Sequence, residues 1–514
     1  MNSKTWTCII ALTLFATLAK PLQLAAQDKA NSDHHDYHHY QVTDLGTLGG
    51  TNSFFDPPGY CCVAVLNGRG AASASAETST SDPFINFCFA ADCLTVHEVV
   101  WKDGVLTDLG ALPGGASSAP QWISANGLVA GLSENGLTDP LVPGLPEFRA
   151  AFWQNGAITD LGTLGGGFEA IANAVNSRGQ VVGMTTNTIP DPFSVAFDGN
   201  IGVPYQTRAF LWQNGEMQDL GTLGGPDAAA TVVNERGQIA GNSYINSTAN
   251  PTGCEANIPA QHPFLWDKGK MIDLGSLGGN CAATSAINNR GQVAAGSTLP
   301  GDLEFHPALW DHGTLTDLGT FGGTFGYTNW INEKGAVVGA ANFPGDTIGH
   351  AALWKKGVMT DLGTLPGYGC SSAQWINSSD QIVGSSSACD GSTNAATLWH
   401  NGSMVDLNTL ISSNSTLHLD VAFDVNDRGE IAVNGSDANG NTHAVLLIPC
   451  DEDHPGVEGC DYSMVQAATS AQSVAPRYAH SETRRLPQSR WTNRFRIPGL
   501  QSPSRWFEET AQRN

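Results

Sequence analysis

Eight aspartates sit at the same place in a recurring pattern, each followed by leucine: Asp44, Asp108, Asp160, Asp219, Asp273, Asp317, Asp361 and Asp406. A carboxylate can serve as nucleophile or as general acid or base, but such chemistry needs one group or a matched pair. Eight equivalent copies point instead to a structural duty, accepting backbone N–H bonds where a strand ends. The other reactive combinations are incomplete. His97-Glu98 lacks the second histidine of a zinc helix, and neither a Gly-x-Ser-x-Gly elbow nor a phosphate-binding loop occurs. Residues 437–441, Asp-Ala-Asn-Gly-Asn, start as a calcium loop does but lack its spacing and terminal glutamate. His34, His35, His38 and His39 could chelate a metal ion, yet they lie in a short polar stretch that reads as a linker. No catalytic, metal or cofactor-binding residue is assigned.

The elements that carry these aspartates repeat rigidly. Trp101, Trp153, Trp212, Trp266, Trp310, Trp354 and Trp399 each precede a glycine by three residues and one of the aspartates by seven. Four short strands can be read in each unit. One ends in Asp-Leu, as residues 216–220. One ends in Ile-Asn or Val-Asn, as at Val233-Asn234, Ile287-Asn288 and Ile331-Asn332. One is of the Gly-Gln-Val-Val-Gly type, as residues 179–183, and one closes on Leu-Trp, as residues 209–212. Each is short and rich in β-branched or aromatic side chains. Asn-x-x-Gly turns, as at residues 234–237, join the second of these to the third. Asn155-Gly156, Asn214-Gly215 and Asn401-Gly402 close the hairpin after tryptophan.

Eight such units predict an all-β protein, a single closed β-propeller of eight four-stranded blades spanning residues 40–449. The Ile-Asn strand is innermost, then the Val-Val-Gly strand, then the tryptophan strand, with the Asp-Leu strand outermost. Residues 40–45 form an orphan outer strand and residues 444–448 a strand lacking its partner. Pairing them completes the last blade from both termini and removes two open edges. In this order the tight turns share one face. The Gly-Thr-Leu-Gly-Gly crossovers and the variable loops share the other. The longest of these loops are residues 77–96, 134–147, 184–207 and 244–261. Phe168, Phe325, Tyr327 and Tyr368, just past crossovers, are the candidates for stacking on a ligand. Trp122, Trp330 and Trp375 on innermost strands are expected to pack between blades.

Composition bounds the setting. The 514-residue chain has 41% hydrophobic and 14% charged residues, 59 glycines and a formal charge of −24. That charge makes nucleic acid or an anionic membrane an ill-suited partner. Lys4 and the apolar residues 6–19 read as a secretory signal cut after Ala26, and no later stretch suits a membrane span. A His-rich linker follows at residues 27–39, and a disordered Arg/Ser/Pro-containing tail at 450–514. Past the signal ten cysteines remain, an even number that suits disulfides. Cys254 with Cys281 and Cys370 with Cys389 each join the start of an inner strand to a variable loop. Cys61 and Cys62 are expected to meet Cys88 and Cys93, in an order left open, and Cys450 to meet Cys460.

Arg208-Ala-Phe-Leu-Trp followed by Asp219-Leu-Gly-Thr-Leu-Gly-Gly225 resembles the HAF-type extracellular repeat of bacterial exported proteins, as do residues 271–279 and 317–323. The resemblance covers residues 40–448. It departs from the family where Arg149 and Arg208 replace the family's histidine and where Pro366-Gly367 replaces Gly-Gly. The resemblance implies export and repeat architecture, with no activity to carry over. The expected function is a secreted, monomeric binding module for an unknown extracellular glycan or protein. The alternatives are a carbohydrate-active lyase or glycosidase using carboxylates on the variable-loop face, or a structural component of an extracellular matrix.

Overall fold

The computed structural model describes residues 36–55, 64–85, 88–90, 92–141, 144, 146–197, 203–252, 254 and 257–466. The expected signal peptide, Cys61, Cys62 and the chain beyond Gln466 lie outside them. Eight four-stranded antiparallel sheets make up an eight-bladed propeller. Blade 4 is typical: Ala228–Val233 innermost, then Ile239–Tyr244, Gln261–Asp267 and Lys270–Asp273 outermost. Blade 8 draws His418–Val425, Ile431–Ser436 and Thr442–Pro449 from the C-terminal side and Tyr40–Asp44 from the N-terminal side. The closing register runs from Tyr40 opposite Pro449 to Asp44 opposite Val445, so the ring is sealed by backbone hydrogen bonds between the chain's two ends.

A second clasp lies outside this seam. Asp36–His38 pairs with Met464–Gln466 as a two-stranded antiparallel sheet. Part of the expected linker and part of the expected tail are thus strand. The Cys450–Cys460 bridge and the bond from the Cys450 N–H to the His39 carbonyl turn the chain back toward its own start. His38 and His39 are tied to the Cys450 and Leu410 carbonyls, and among the described residues no metal-binding cluster occurs.

Each innermost strand carries a bulge near its end, as between Ala230 and Val232 or Thr328 and Trp330. In blades 2, 3, 4, 6 and 7 a glycine of the second strand faces it. A Cβ on Gly241 would lie 2.1 Å from the Ala229 carbonyl oxygen, and one on Gly339 2.0 Å from that of Tyr327. Blade 1 departs from the pattern. Its innermost strand, Gly49–Phe54, stops early, and residues 64–66 resume its path through single bridges to Trp122 and Ala72.

The asparagine of each Asn-x-x-Gly turn does two jobs. Its side-chain oxygen accepts the N–H groups two and four residues on, as Asn234 does from Arg236 and Gln238. Its amide nitrogen donates to the next blade. Asn176 donates to the Asn234 carbonyl, Asn234 to Asn288, Asn288 to Asn332, Asn332 to Asn377, Asn377 to Asn426 and Asn426 to Asn67. Asn67 continues to the Ser124 carbonyl. Asn126 bridges to Ser177 where Ser124 has replaced the asparagine. All eight junctions are stapled, at 2.9–3.3 Å.

The outer aspartates accept a backbone N–H two residues on: Gly46, Gly110, Gly162, Gly221, Gly275, Gly319, Gly363 and Asn408. Seven of them also face a basic side chain on the neighbouring strand. It is His443, His97, His262, His306 or His350 in five blades and Arg149 or Arg208 in two.

Two outcomes follow. Deleting residues 36–45 should lower the melting temperature or drive association, because the third strand of blade 8 is left as an open edge; an unchanged melt and unchanged mass in solution would overturn the closure. Asn288→Ala should cost about 1–3 kcal/mol in denaturant unfolding, since it orphans two turn N–H groups and removes one of the two bonds to the Asn332 carbonyl, whereas Asn401→Ala, in an exposed hairpin turn outside the ring, should cost less.

Candidate functional site

Strand order places every Asn-x-x-Gly turn and every hairpin turn after tryptophan on one face. The opposite face receives the crossovers and the loops between second and third strands. Direct bonds show the two kinds of segment meeting: Gln261 N–H donates to the Asn280 carbonyl, and Phe305 N–H to that of Thr324. Disulfides Cys254–Cys281 and Cys370–Cys389 join the same two kinds of segment.

Cys88 and Cys93 bond to each other, which corrects the expectation that they meet Cys61 and Cys62. The loop after Asp82 folds back on itself. The Asp82 N–H donates to the Cys93 carbonyl and the Cys93 N–H to that of Ala90, holding the two cysteine Cα atoms 5.0 Å apart.

In blades 1 to 3 part of the expected loop is strand. Ala72–Ser81, Val129–Thr138 and Val181–Pro190 run for ten residues, against six in Ile239–Tyr244. Each of the three then meets Asp-Pro: Asp82-Pro83, Asp139-Pro140 and Asp191-Pro192. Proline ends strand pairing because it has no N–H, and the aspartate caps the turn, as the N–H bonds from Phe84 and Phe193 show. Ile85, Leu137, Ile189, Val195, Leu303 and Ile348 are exposed at the tips of these loops and their counterparts in blades 5 and 6, Leu303 at 81%. The turn face exposes two such side chains, Val105 and Val358.

Of the four stacking candidates, the fold unites two. Phe325 is buried. It stacks on Phe305 at 5.7 Å and lies 5.8 Å from Tyr327, beside the Cys254–Cys281 bridge. Tyr327 is half-buried, its hydroxyl bonded to the Ser372 Oγ at 2.9 Å on the next blade. Phe168 and Tyr368 are half-buried on blades 3 and 7. Burial pushes the Tyr368 hydroxyl pKa up, helped by the nearby Asp406 and Asp420 carboxylates.

Trp330 and Trp375, on neighbouring blades 6 and 7, pack between blades as expected, whereas Trp122 reaches beyond its neighbours. Trp122 belongs to blade 2 and Trp330 to blade 6, opposite one another in the ring, yet their rings lie 5.8 Å apart. The two indoles therefore meet across the axis. Trp330 in turn stacks on Trp375 at 3.6 Å. Trp122 packs against the cores of blades 3 to 5, including Ala174 and Val232 at the matching positions of blades 3 and 4. The axis is plugged by aromatic rings near the turn face.

The loop face also conceals carboxyl groups. Glu134 accepts the N–H groups of Ala116 and Ser117, and the Ser117 hydroxyl donates to Asp82 at 2.8 Å. Asp227 accepts the Thr207 N–H at 2.7 Å and the Ser194 hydroxyl at 2.8 Å, and that hydroxyl also reaches Asp191. Glu169 accepts the Phe148 N–H and lies near Asp139, Glu147 and Arg149. These acids are fully or nearly fully buried. Loss of solvation, first, and a neighbouring acid, second, push Glu134 up to about 8. Loss of solvation also raises Asp227 to about 8, with Asp191 opposing its ionisation. Glu134, Glu169 and Asp227 are closed to solvent.

No protein-family profile and no curated protein sequence matches the chain. Among solved structures, the acylaminoacyl peptidase of Pyrococcus horikoshii is similar over 73% of this chain and 58% of its own, at 10% identity and TM-score 0.38. The dipeptidyl peptidase 4 of Porphyromonas gingivalis is similar over 75% and 59%, at 9% identity and TM-score 0.41. Trypanosoma rangeli sialidase is similar over 79% and 59%, at 10% identity and TM-score 0.30. The chain spans less than two thirds of each of these proteins.

Trp330→Ala should cost about 3–5 kcal/mol in denaturant unfolding, as truncation of a large packed aromatic does; a cost below about 1 kcal/mol would mean that the axial rings are not packed.

Proposed function

We propose that the protein is a secreted binding propeller whose extracellular glycan or protein partner docks on the variable-loop face. The observation that carries this reading is the one-sidedness of the molecule. The turn face is consumed by the asparagine ring and by short turns of nearly constant length. The loop face carries the length variation, three disulfides and six exposed apolar tips. Apolar side chains gathered on one face of an otherwise acidic, weakly apolar surface suit recognition. Four disulfides fit export, as does the resemblance to HAF-type repeats. Among the described residues no helix is long and apolar enough to cross a membrane.

The repeated polar residues are engaged in the fold, and the acids at the junctions of blades 1 to 4 are buried, which favours binding over turnover.

Screening the secreted chain on a glycan array and against extracellular protein, with product analysis in parallel, tests the reading. For any partner found, Ile189→Ser with Val195→Ser should weaken binding at least about tenfold, the equivalent of one lost apolar contact of about 1.4 kcal/mol. Shortening residues 184–207 should do the same while leaving the fold intact. Val105→Ser with Val358→Ser on the turn face should leave binding unchanged. Binding lost with the turn-face pair but kept with the loop-face changes would invert the assignment, and product release would favour a carbohydrate-active enzyme.

A further inference from the structure

The buried acids of blades 1 to 4 are arranged in facing pairs across blade junctions. Asp82 ends the second strand of blade 1 and faces Glu134 of blade 2. Asp191 ends the second strand of blade 3 and faces Asp227 at the start of blade 4. In each pair one oxygen has no donor: Glu134 Oε1 and Asp227 Oδ2 are buried and without a hydrogen-bond partner. A carboxylate oxygen out of water and opposite a second carboxyl is strongly disfavoured while both are ionised. A proton on one of the two acids removes the repulsion and supplies the missing donor.

Among the described residues no cation competes for that role. Around the first pair, the basic residue of blade 2, Arg149, turns to Glu147 and Asp160. His97 on the adjoining strand is bonded to Asp108, and Asp92 adds further negative charge to the loop. Around the second pair, Arg208 turns to Asp219 and the Pro226 carbonyl. The junction between blades 2 and 3 differs, because Glu169 and Glu147 there have Arg149 beside them.

We propose that Asp82–Glu134 and Asp191–Asp227 are proton-held staples between neighbouring blades, and that losing the proton releases the loop-face segments they anchor. The anchored segments are specific. Through Ser117 the first staple fixes the Asp-Pro turn of blade 1 to the crossover into blade 2. Through Ser194 and the Thr207 N–H, the second fixes the helical turn Ser194–Phe197 and the start of Tyr205–Gln213 to blade 4. The inference does not depend on any partner.

The sign follows from burial. Both groups have raised values in the folded chain, so the stability of the protonated pair is complete below the ordinary carboxyl range. It is lost as pH rises through about 8.

Melting temperature and backbone amide exchange, corrected for intrinsic rate, should be followed from pH 5 to 9.5 on the full secreted chain. The expected result is a melting temperature that falls as pH rises from about 5 and levels off above about 8. Exchange at Ser117 and Thr207 should quicken at least about tenfold, with no matching change at Asn234 or Asn288 in the turn-face ring. Glu134→Gln and Asp227→Asn supply a permanent donor and should flatten both profiles. Asp82→Asn and Asp191→Asn, made from the other side of each pair, should flatten them too, so failure of one variant to fold leaves the test intact. A flat wild-type profile, or variants that keep the wild-type slope, would overturn the proposal.

Discussion

The fold depends on the side-chain amide that each Asn-x-x-Gly asparagine passes to the next blade. A propeller has no end at which a misfit can be discarded, so all eight junctions must accept similar geometry. One residue meets that demand by fixing its own turn with two accepted N–H bonds and then donating outward to a backbone carbonyl. Backbone carbonyls are present whatever the neighbouring sequence, which makes the staple indifferent to the side chains of the next blade. Where Ser124 breaks the series, Asn126 reaches the Ser177 carbonyl from two residues away. The junction is kept although the residue has changed.

The outer aspartates obey the same logic at the rim. Each holds a crossover glycine or Asn408 by its N–H, and seven pair with a base across the hairpin. Histidine and arginine are interchangeable in that place because the aspartate needs an N–H donor and no proton transfer, as the pairs at Asp219 with Arg208 and Asp273 with His262 illustrate. The tryptophans that precede them by seven residues belong to this rim. Trp153, Trp354 and Trp399 donate their ring N–H to the Asp-Leu carbonyls of the preceding blade. The fixed seven-residue spacing is the distance along one hairpin between two contacts with neighbouring blades.

Much of this was legible in the chain. Strand type, strand order, the closing seam and the Cys254–Cys281, Cys370–Cys389 and Cys450–Cys460 bridges follow from period-two patterns, turn residues and loop position. What was not legible depends on partners distant in sequence. Nothing local to Trp122 shows that it will meet Trp330, because only closure of eight blades sets blades 2 and 6 face to face. The Asp36–His38 strand is too short and polar to announce itself, and its partner sits more than four hundred residues away. Cys88 and Cys93 pair with each other, and not with Cys61 and Cys62, because the backbone of their loop folds back within itself. A usable signal for the buried acids did exist. Asp-Pro recurs after the second strand at Asp82, Asp139 and Asp191, in the same blades whose strands are extended.

The acids themselves show how one local task can have opposite electrostatic outcomes. At the start of an inner strand, N–H groups freed by the crossover need an acceptor, and a carboxylate near the end of the second strand provides it. Glu77 takes those of Thr51 and Asn52, Glu134 those of Ala116 and Ser117, Asp302 that of Asn280 and Asp346 that of Thr324. In blade 5 the loop is short and the cap stays near water. Partial burial opposes ionisation of Asp302, but bonds from Thr298 and Asn280 outweigh it and hold the group below the ordinary carboxylate range. In blade 2 the longer strand and its loop cover the same kind of cap and bring Asp82 against it, and Glu134 is driven up to about 8. The bonds to the backbone are alike; the water is not. The extended loops of blades 1 to 3 therefore do more than enlarge the loop face, because one of them takes an ordinary turn cap, Glu134, out of solvent and opposes its ionisation.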